Sequence, residues 1–289
     1  MEKDTHEYIS FLSPEFIYIP FDSLEKLKIK KSKLVLYNSF LGVNNDNKNI
    51  FSPVSGKIIG LKEMQFSSKK QNCLVIENNF IDKRDKLNPA KSINKMKKND
   101  IIDLLNKYGL NKNVNSKSTL VVNSFYNKKY DLKDMIINCE SYEGILETLD
   151  EFMNIFNIKD CYICIDRNDL YSINAYEKYI NAFYNICIVH SNKKFKKEKC
   201  VFYTIEEVLA IYKAIHQDYM YDNTLITIYE NTPIIVKVKL YTSLYEVLRA
   251  LKISTRKKDI FINNKLVDNV KDFVIDFNVR SVLIKDKKE

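Results

Sequence analysis

Six cysteines, three histidines and a set of helically spaced glutamates are the side chains in this 289-residue sequence with the most chemistry to offer. Cys161 and Cys164 form a C-x2-C pair inside "CYICIDRN", a spacing used by zinc sites and redox-active dithiols. A zinc site needs a second such pair, and an iron–sulfur centre needs a run such as C-x2-C-x2-C-x3-C-P; neither is present. The flanking residues alternate as a buried strand, and an odd separation on a strand sends the two thiols to opposite faces. Cys73, Cys139, Cys187 and Cys200 complete the set, mostly within apolar runs, where cysteine packs as a small hydrophobe. The six read as structural thiols in a reducing compartment. His6, His190 and His216 fall on unrelated elements, and His216 reads as a favourable charge at the end of a helix. Glu140, Glu143 and Glu147 recur at intervals of three and four, as acids do beside a helix N-terminus. No Ser/His/Asp or Cys/His spacing stands out, so neither catalytic residues nor a metal site are expected.

Charge gives a second constraint. The formal net charge is +9, carried almost wholly by lysine, with arginine only at positions 84, 167, 249, 256 and 280. A joint excess of Lys, Asn, Ile and Tyr, with five glycines and no tryptophan, is what an AT-rich coding sequence produces. A nucleic-acid surface would cluster arginine or interleave basic and aromatic residues on one face, whereas the lysines here crowd short loops such as "SNKKFKKEK". Solvated loops are the better reading, and nucleic acid is not an expected partner. "MEKDTHEYIS" lacks the apolar stretch of a signal peptide, and no run reaches the 18 or so apolar residues of a membrane helix. The chain is expected in the cytoplasm, or peripheral on the cytoplasmic face of a membrane through a partner.

The elements that must position these residues fall into three groups. Residues 1–85 read as short strands and turns, among them "EFIYIPF", "KLVLYNSF", "SPVSGKIIGLKE" and "NCLVIENNF". In the third of these, Gly56 is expected to hold a hairpin, with Pro53 setting the entry. Residues 86–222 alternate. "NDIIDLLNKYG" is an amphipathic helix with Asn99 as cap and Gly109 just past its end. "STLVVNSF" is a buried strand, and "CESYEGILETLDEFMNIFNI" is a helix burying Ile145, Leu149, Phe152, Met153 and Phe156. "DCYICIDRN", "YNICIVHS" and the helices "DLYSINAYEKYINAF" and "TIEEVLAIYKAIHQ" continue the pattern. Crossovers of this length imply a parallel sheet covered by helices. Residues 223–289 read as a hairpin around "NTP", a helix starting near Ser243, and further strands, a small β-grasp-like unit.

That order resembles the RnfC subunit of Rnf-type electron transport complexes, over about residues 15–285. "SPVSGKIIGL" followed by "CLVIENN" is similar to the family's Pro-x-Ser-Gly hairpin and next strand. "STLVVNSFYNKKYDLKD" occupies the place of the strand and loop after the flavin loop, and "TIEEVLAIYKAI" that of the Asn-Val-x-Thr element. "TLITIYENTPIIVKVKLYTSLYEVLRAL" resembles the soluble-ligand-binding β-grasp (SLBB) domain, and "DIFINNKLVDNVKDFVIDFNVRSVLI" the strands after it. The resemblance implies an α/β chain with flanking β domains. These would be a barrel-sandwich hybrid-like domain (1–85), a Rossmann-like domain related to the FMN/NADH-binding domain (86–222) and an SLBB-like β-grasp domain (223–289). It also implies other protein subunits as partners, in a membrane electron transport complex related to respiratory complex I.

The departures from the family bear on chemistry. Its flavin and nicotinamide site uses a Gly-Gly-Ala-Gly-Phe-Pro-Thr type loop, in which glycines let backbone N–H groups approach phosphate. Here that place reads "YGLNKNVNSKST", with Gly109 its only glycine. The family's Glu-Cys-Glu-Pro-Tyr becomes "YNKKY", so Tyr126 and Lys128 replace the glutamates while Tyr130 is kept. Thr204 and Glu207 replace the Asn and Thr of Asn-Val-x-Thr, and "NNKL" replaces a Gly-Gly-Pro-Met turn. The family's ferredoxin-like domain, with its two cysteine clusters, is not in this sequence. The expectation is a non-catalytic docking or ligand-binding subunit without FMN, NADH or an iron–sulfur cluster. The alternative is an active FMN/NADH-dependent electron-transfer subunit. Under it, Phe125, Tyr126 and Tyr130 would stack on the flavin ring, and Lys112, Lys128 and Lys129 would hold phosphate.

Overall fold

The computed structural model describes residues 8–28, 33–45, 47–81, 83–84, 96–112, 114, 118–125, 131–191, 195–196 and 199–287. It is a mixed α/β structure with several sheets, one of them wholly parallel. The chain divides into two compact units. The first is Met1–Lys86, Lys129–Asp131 and Asp222–Glu289, and the second is Leu87–Lys128 and Leu132–Tyr221.

In the first unit, β1 (Tyr8–Phe11) is followed by β2 (Phe16–Pro20), β3 (Leu34–Val35), β4 (Phe40–Val43), β5 (Asn49–Phe51), β6 (Gly56–Gln65) and β7 (Lys70–Asn78). An antiparallel sheet runs in the order β2-β7-β6-β3, with β4 and β5 paired separately. Alternation along the strands buries Ile17 and Ile19, Leu74 and Ile76, together with Leu41, Val54 and Ile58. Gly56 is fixed by space rather than by a turn. It is the first residue of β6, opposite Asn78, and a Cβ there would run into the Glu77 carbonyl oxygen and the Ile76 side chain.

The same unit contains β12 (Asn223–Tyr229), β13 (Pro233–Lys239), α5 (Leu244–Ala250), β14 (Lys258–Ile262), β15 (Lys265–Val267) and β16 (Ser281–Asp286). Its second sheet is ordered β1-β13-β12-β16-β14-β15, so the first strand of the chain pairs in parallel with β13. Leu244, Val247 and Leu248, spaced three and four apart, bury one face of α5 against Ile226, Ile228, Val236, Val238 and neighbours of the sheet. Asn263 and Asn264 join β14 to β15 with φ of 49° and 68°, the two left-handed positions of a type I′ hairpin.

The second unit is built on β8 (Thr119–Ser124), β9 (Cys161–Ile165), β10 (Ile186–Val189) and β11 (Cys200–Thr204), all parallel, in the order β10-β9-β8-β11. α2 (Lys133–Phe156) joins β8 to β9 and α3 (Leu170–Glu177) lies between β9 and β10, while α4 (Ile205–Gln217) follows β11 and α1 (Lys98–Lys107) packs on α4. The apolar face expected on α2 is buried as expected, but the helix begins at Lys133. Glu140, Glu143 and Glu147 therefore lie in its middle turns and do not face an N-terminus. Asn99 is likewise inside α1, whose first turn is closed by Asp100 accepting from the Lys97 N–H at 2.9 Å. α3 stops at Glu177, short of the helix expected through Phe183, and a 3-10 turn at Ile180–Ala182 follows. Among the described residues, no helix is long and apolar enough to cross a membrane.

Candidate functional site at the ends of the parallel strands

In an open parallel sheet, the crevice past the carboxyl ends of the strands, where strand order reverses, is the place that binds ligands. Here the order reverses between β8 and β11. From β8 the chain moves outward to β9 and β10, then returns to β8's other flank as β11. The relevant residues therefore follow Ser124 on β8 and Thr204 on β11.

On the β11 side, α4 begins directly after the strand, and its own side chains close its N-terminus. Thr204 Oγ1 accepts from the Glu207 N–H at 3.1 Å, and Glu207 Oε2 accepts from the Thr204 N–H at 2.7 Å. This reciprocal box satisfies two of the donors that an N-terminus would otherwise offer to an anion. The Lys112 ammonium donates to Glu207 Oε2 and to the Phe202 carbonyl, both at 2.8 Å, and lies over the Tyr203 ring at 4.6 Å. Lys112, a phosphate ligand under the active alternative, is thus neutralised by a carboxylate of the same unit. A phosphate brought to this place would meet Glu206 and Glu207 in the first turn of α4, so the described residues here do not fit one. Tyr126, Lys128, Lys129 and Tyr130 lie outside the described residues, and Phe125 is half-buried just past β8.

A second cation is engaged in the same way. Lys133, the first residue of α2, is fully buried, and its ammonium is 2.5 Å from Glu206 Oε2. Burying two charges costs several kcal/mol of hydration each, offset only when the pair is close and well bonded. Among the described residues at this end of the sheet, Lys133 and Lys112 are thus each matched to an acid of one helical turn.

On the β8 side lies a polar cluster that the sequence reading missed. Asn138 Nδ2 donates to Ser124 Oγ at 2.7 Å and to Ser172 Oγ at 3.0 Å, and Tyr176 donates to Asn138 Oδ1 at 2.9 Å. Asp169 caps α3 by accepting from the Ser172 N–H at 3.0 Å and from its hydroxyl. All five side chains are buried. Burial pushes the Tyr176 phenol well above its ordinary range, so it remains a donor. Each member is bonded, and a satisfied network of this kind rigidifies what it touches. The available signal was polar Lys133, Asp134 and Asn138 leading into an apolar helical face.

The remaining chemistry-bearing residues are dispersed. Cys161 and Cys164 are buried in β9. His190 Nδ1 is 3.2 Å from the Ile165 carbonyl. His216 Nε2 is 3.1 Å from Glu151 Oε2 on α2, with its ring against Tyr212, so it joins two helices rather than merely ending one. Among the described residues, no three His, Cys, Asp or Glu side chains are grouped to hold a metal.

No family model matches the chain, and comparison with curated proteins gives no match. Among solved structures, it is similar to a chain of NAD+-reducing [NiFe]-hydrogenase in the H2-reduced state. The TM-score is 0.50 at 8% identity, covering 69% of this chain and 49% of that one. The air-oxidised state of that hydrogenase gives a TM-score of 0.49 at the same identity and coverage. The chain thus spans about half the length of the solved chains it matches, and at this identity the likeness is one of fold.

Proposed function

We propose that the chain is a non-catalytic docking subunit of an NADH-linked electron-transport assembly. It would have the RnfC-like order of a barrel-sandwich-like domain, a Rossmann-like domain and an SLBB-like β-grasp domain. Its partners are other protein subunits, and it carries neither flavin, nicotinamide nor an iron–sulfur cluster. The fold likeness to a chain of an NAD+-reducing hydrogenase supports the kind of assembly. The observation that carries the loss of redox chemistry is the closure of α4: Glu207 holds Lys112, Glu206 holds Lys133, and Thr204 caps the helix. Where an active relative would offer cations and free N–H groups to a nucleotide, this chain offers carboxylates already paired.

The test is direct. Purified full-length chain is expected to be colourless and to give no binding heat with FMN or NADH at micromolar concentration. A yellow preparation, or micromolar binding of either compound, overturns the reading. Reduction of a dye acceptor by NADH after incubation with FMN would establish the active alternative in its place.

A further inference from the structure

A cleft of about 460 Å³ lies in the first unit, between the far end of β6 and the β14–β15 hairpin. That volume is within the range of ligand-binding clefts, roughly 300–1,000 Å³, yet its walls differ from those of a small-molecule site. Two of them are strand edges: among the described residues β15 has no outer neighbour, and beyond its short pairing with β3 the β6 edge away from β7 is bridged at Gln65 by Phe273. β15 is the last strand of its sheet. Its turn makes Ile262 and Lys265 the closing pair of a two-residue hairpin, so the ladder alternation aims the N–H and C=O of Leu266 away from β14. On β6, the Gln65 carbonyl accepts from the Val274 N–H at 2.8 Å, on the side away from β7. The same alternation aims the N–H and C=O of Glu63 outward too. Glu63 and Leu266 both line the cleft.

We propose that this cleft binds an extended segment of a partner polypeptide as an added strand. The inference stands on the first unit alone and holds whether or not a cofactor binds elsewhere. An extended chain presents N–H and C=O groups to both sides in alternation, which suits strand edges on two walls of one cleft. The side chains of the cleft complement such a segment. Buried Met64, Phe66 and Phe273 supply an apolar floor for one inward residue. Around them, Glu63, Asp268, Lys70 and Lys265 have no side-chain hydrogen bond or ion pair among the described residues. These charges of both signs match a segment that itself carries both.

The probe is a phage-displayed library of linear ten-residue peptides selected on the full chain. Selected peptides are expected to bind with micromolar Kd and to slow amide exchange at Glu63 and Leu266. Leu266→Pro, which removes the outward N–H from an edge strand that tolerates proline, is expected to weaken binding about tenfold. Leu266→Ala should change it much less. Lys70→Glu with Lys265→Glu should alter the charge pattern of the selected peptides. The proposal is overturned if no peptide is selected, if protection falls on other amides, or if Leu266→Pro folds and binds normally. Concentration-dependent self-association protecting these amides would assign the cleft to a second copy and also overturn it. If Leu266→Pro does not fold, amide protection in the unaltered chain still decides the matter.

Discussion

Burial sets the reactivity of the thiols one by one. It pushes the Cys73 thiol up to about 12 and Cys139 up to about 11, and raises Cys161 further still, while Cys187 is exposed on β10. Because the thiolate is the reactive form, an alkylating reagent at pH 8 is expected to modify Cys187 well before Cys73, Cys139 or Cys161. Mass spectrometry of peptides from a time course checks the order. Glu246 shows the same effect on a carboxyl. Burial lifts its carboxyl above the ordinary value, opposed by the Glu15 N–H that it accepts at 2.5 Å. The folded chain therefore holds this proton more tightly than the unfolded one, and the stability it contributes when protonated is lost as pH rises from about 4.3 through the folded value. Glu246→Gln should gain stability relative to the unaltered chain over that interval and keep a constant difference above it. Denaturant titrations at a series of pH values measure this. At Glu206 the stake is a buried ammonium: Glu206→Gln is expected to cost about 3 kcal/mol, since it removes one member of a buried ion pair. A loss within experimental error would show that Lys133 does not depend on it.

At the scale of elements, asparagine does what glycine usually does. Six of the eleven described non-glycine residues at positive φ are Asn38, Asn47, Asn157, Asn185, Asn263 and Asn264, and asparagine tolerates that region best among ordinary side chains. The replacement of a Gly-Gly turn by "NN" therefore costs the β14–β15 hairpin little. Asn264→Gly should be neutral or slightly stabilising. Asn263→Gly should cost about 1–2 kcal/mol, because Asn263 Oδ1 accepts from the N–H groups of Arg280 and Ser281. Thermal melts of the two variants give the comparison. Local pattern made much of the fold legible: the apolar run Leu120–Val122 of a parallel strand, the Ile145–Phe156 face of α2, the β12–β13 hairpin. The first two turns of α2 were not legible, because Lys133, Asp134 and Asn138 are polar yet buried, and hydropathy carries no mark of partners brought in by the fold. The candidate site shared that fate. Lys112 and Glu207 each stood out by position, but their pairing across 95 residues is a tertiary fact that no spacing rule encodes.

For the whole molecule, the chain leaves and re-enters the first unit, and two returns are marked by buried aspartates. Asp131, just before α2, is bound by the Arg280 guanidinium. Asp222, where the chain comes back for good, accepts from Lys239 and from the Tyr37 hydroxyl, both at 2.8 Å. Each bond lies within the first unit, so Arg280→Ala should destabilise that unit by about 3 kcal/mol. Amide exchange should rise in the six-stranded sheet and much less in β8–β11; equal acceleration in both would contradict this. The discontinuity also imposes a schedule on synthesis. β1 pairs with β13, Tyr8 opposite Ile235, so at roughly 5–20 residues per second the first strand waits on the order of 10–45 s for its mate to be made. The parallel sheet of the second unit is complete before then. Whatever shields β1 in that interval, whether the ribosome surface or a chaperone, acts on a chain in which β2–β7 and the parallel strands already have their sheet partners synthesised.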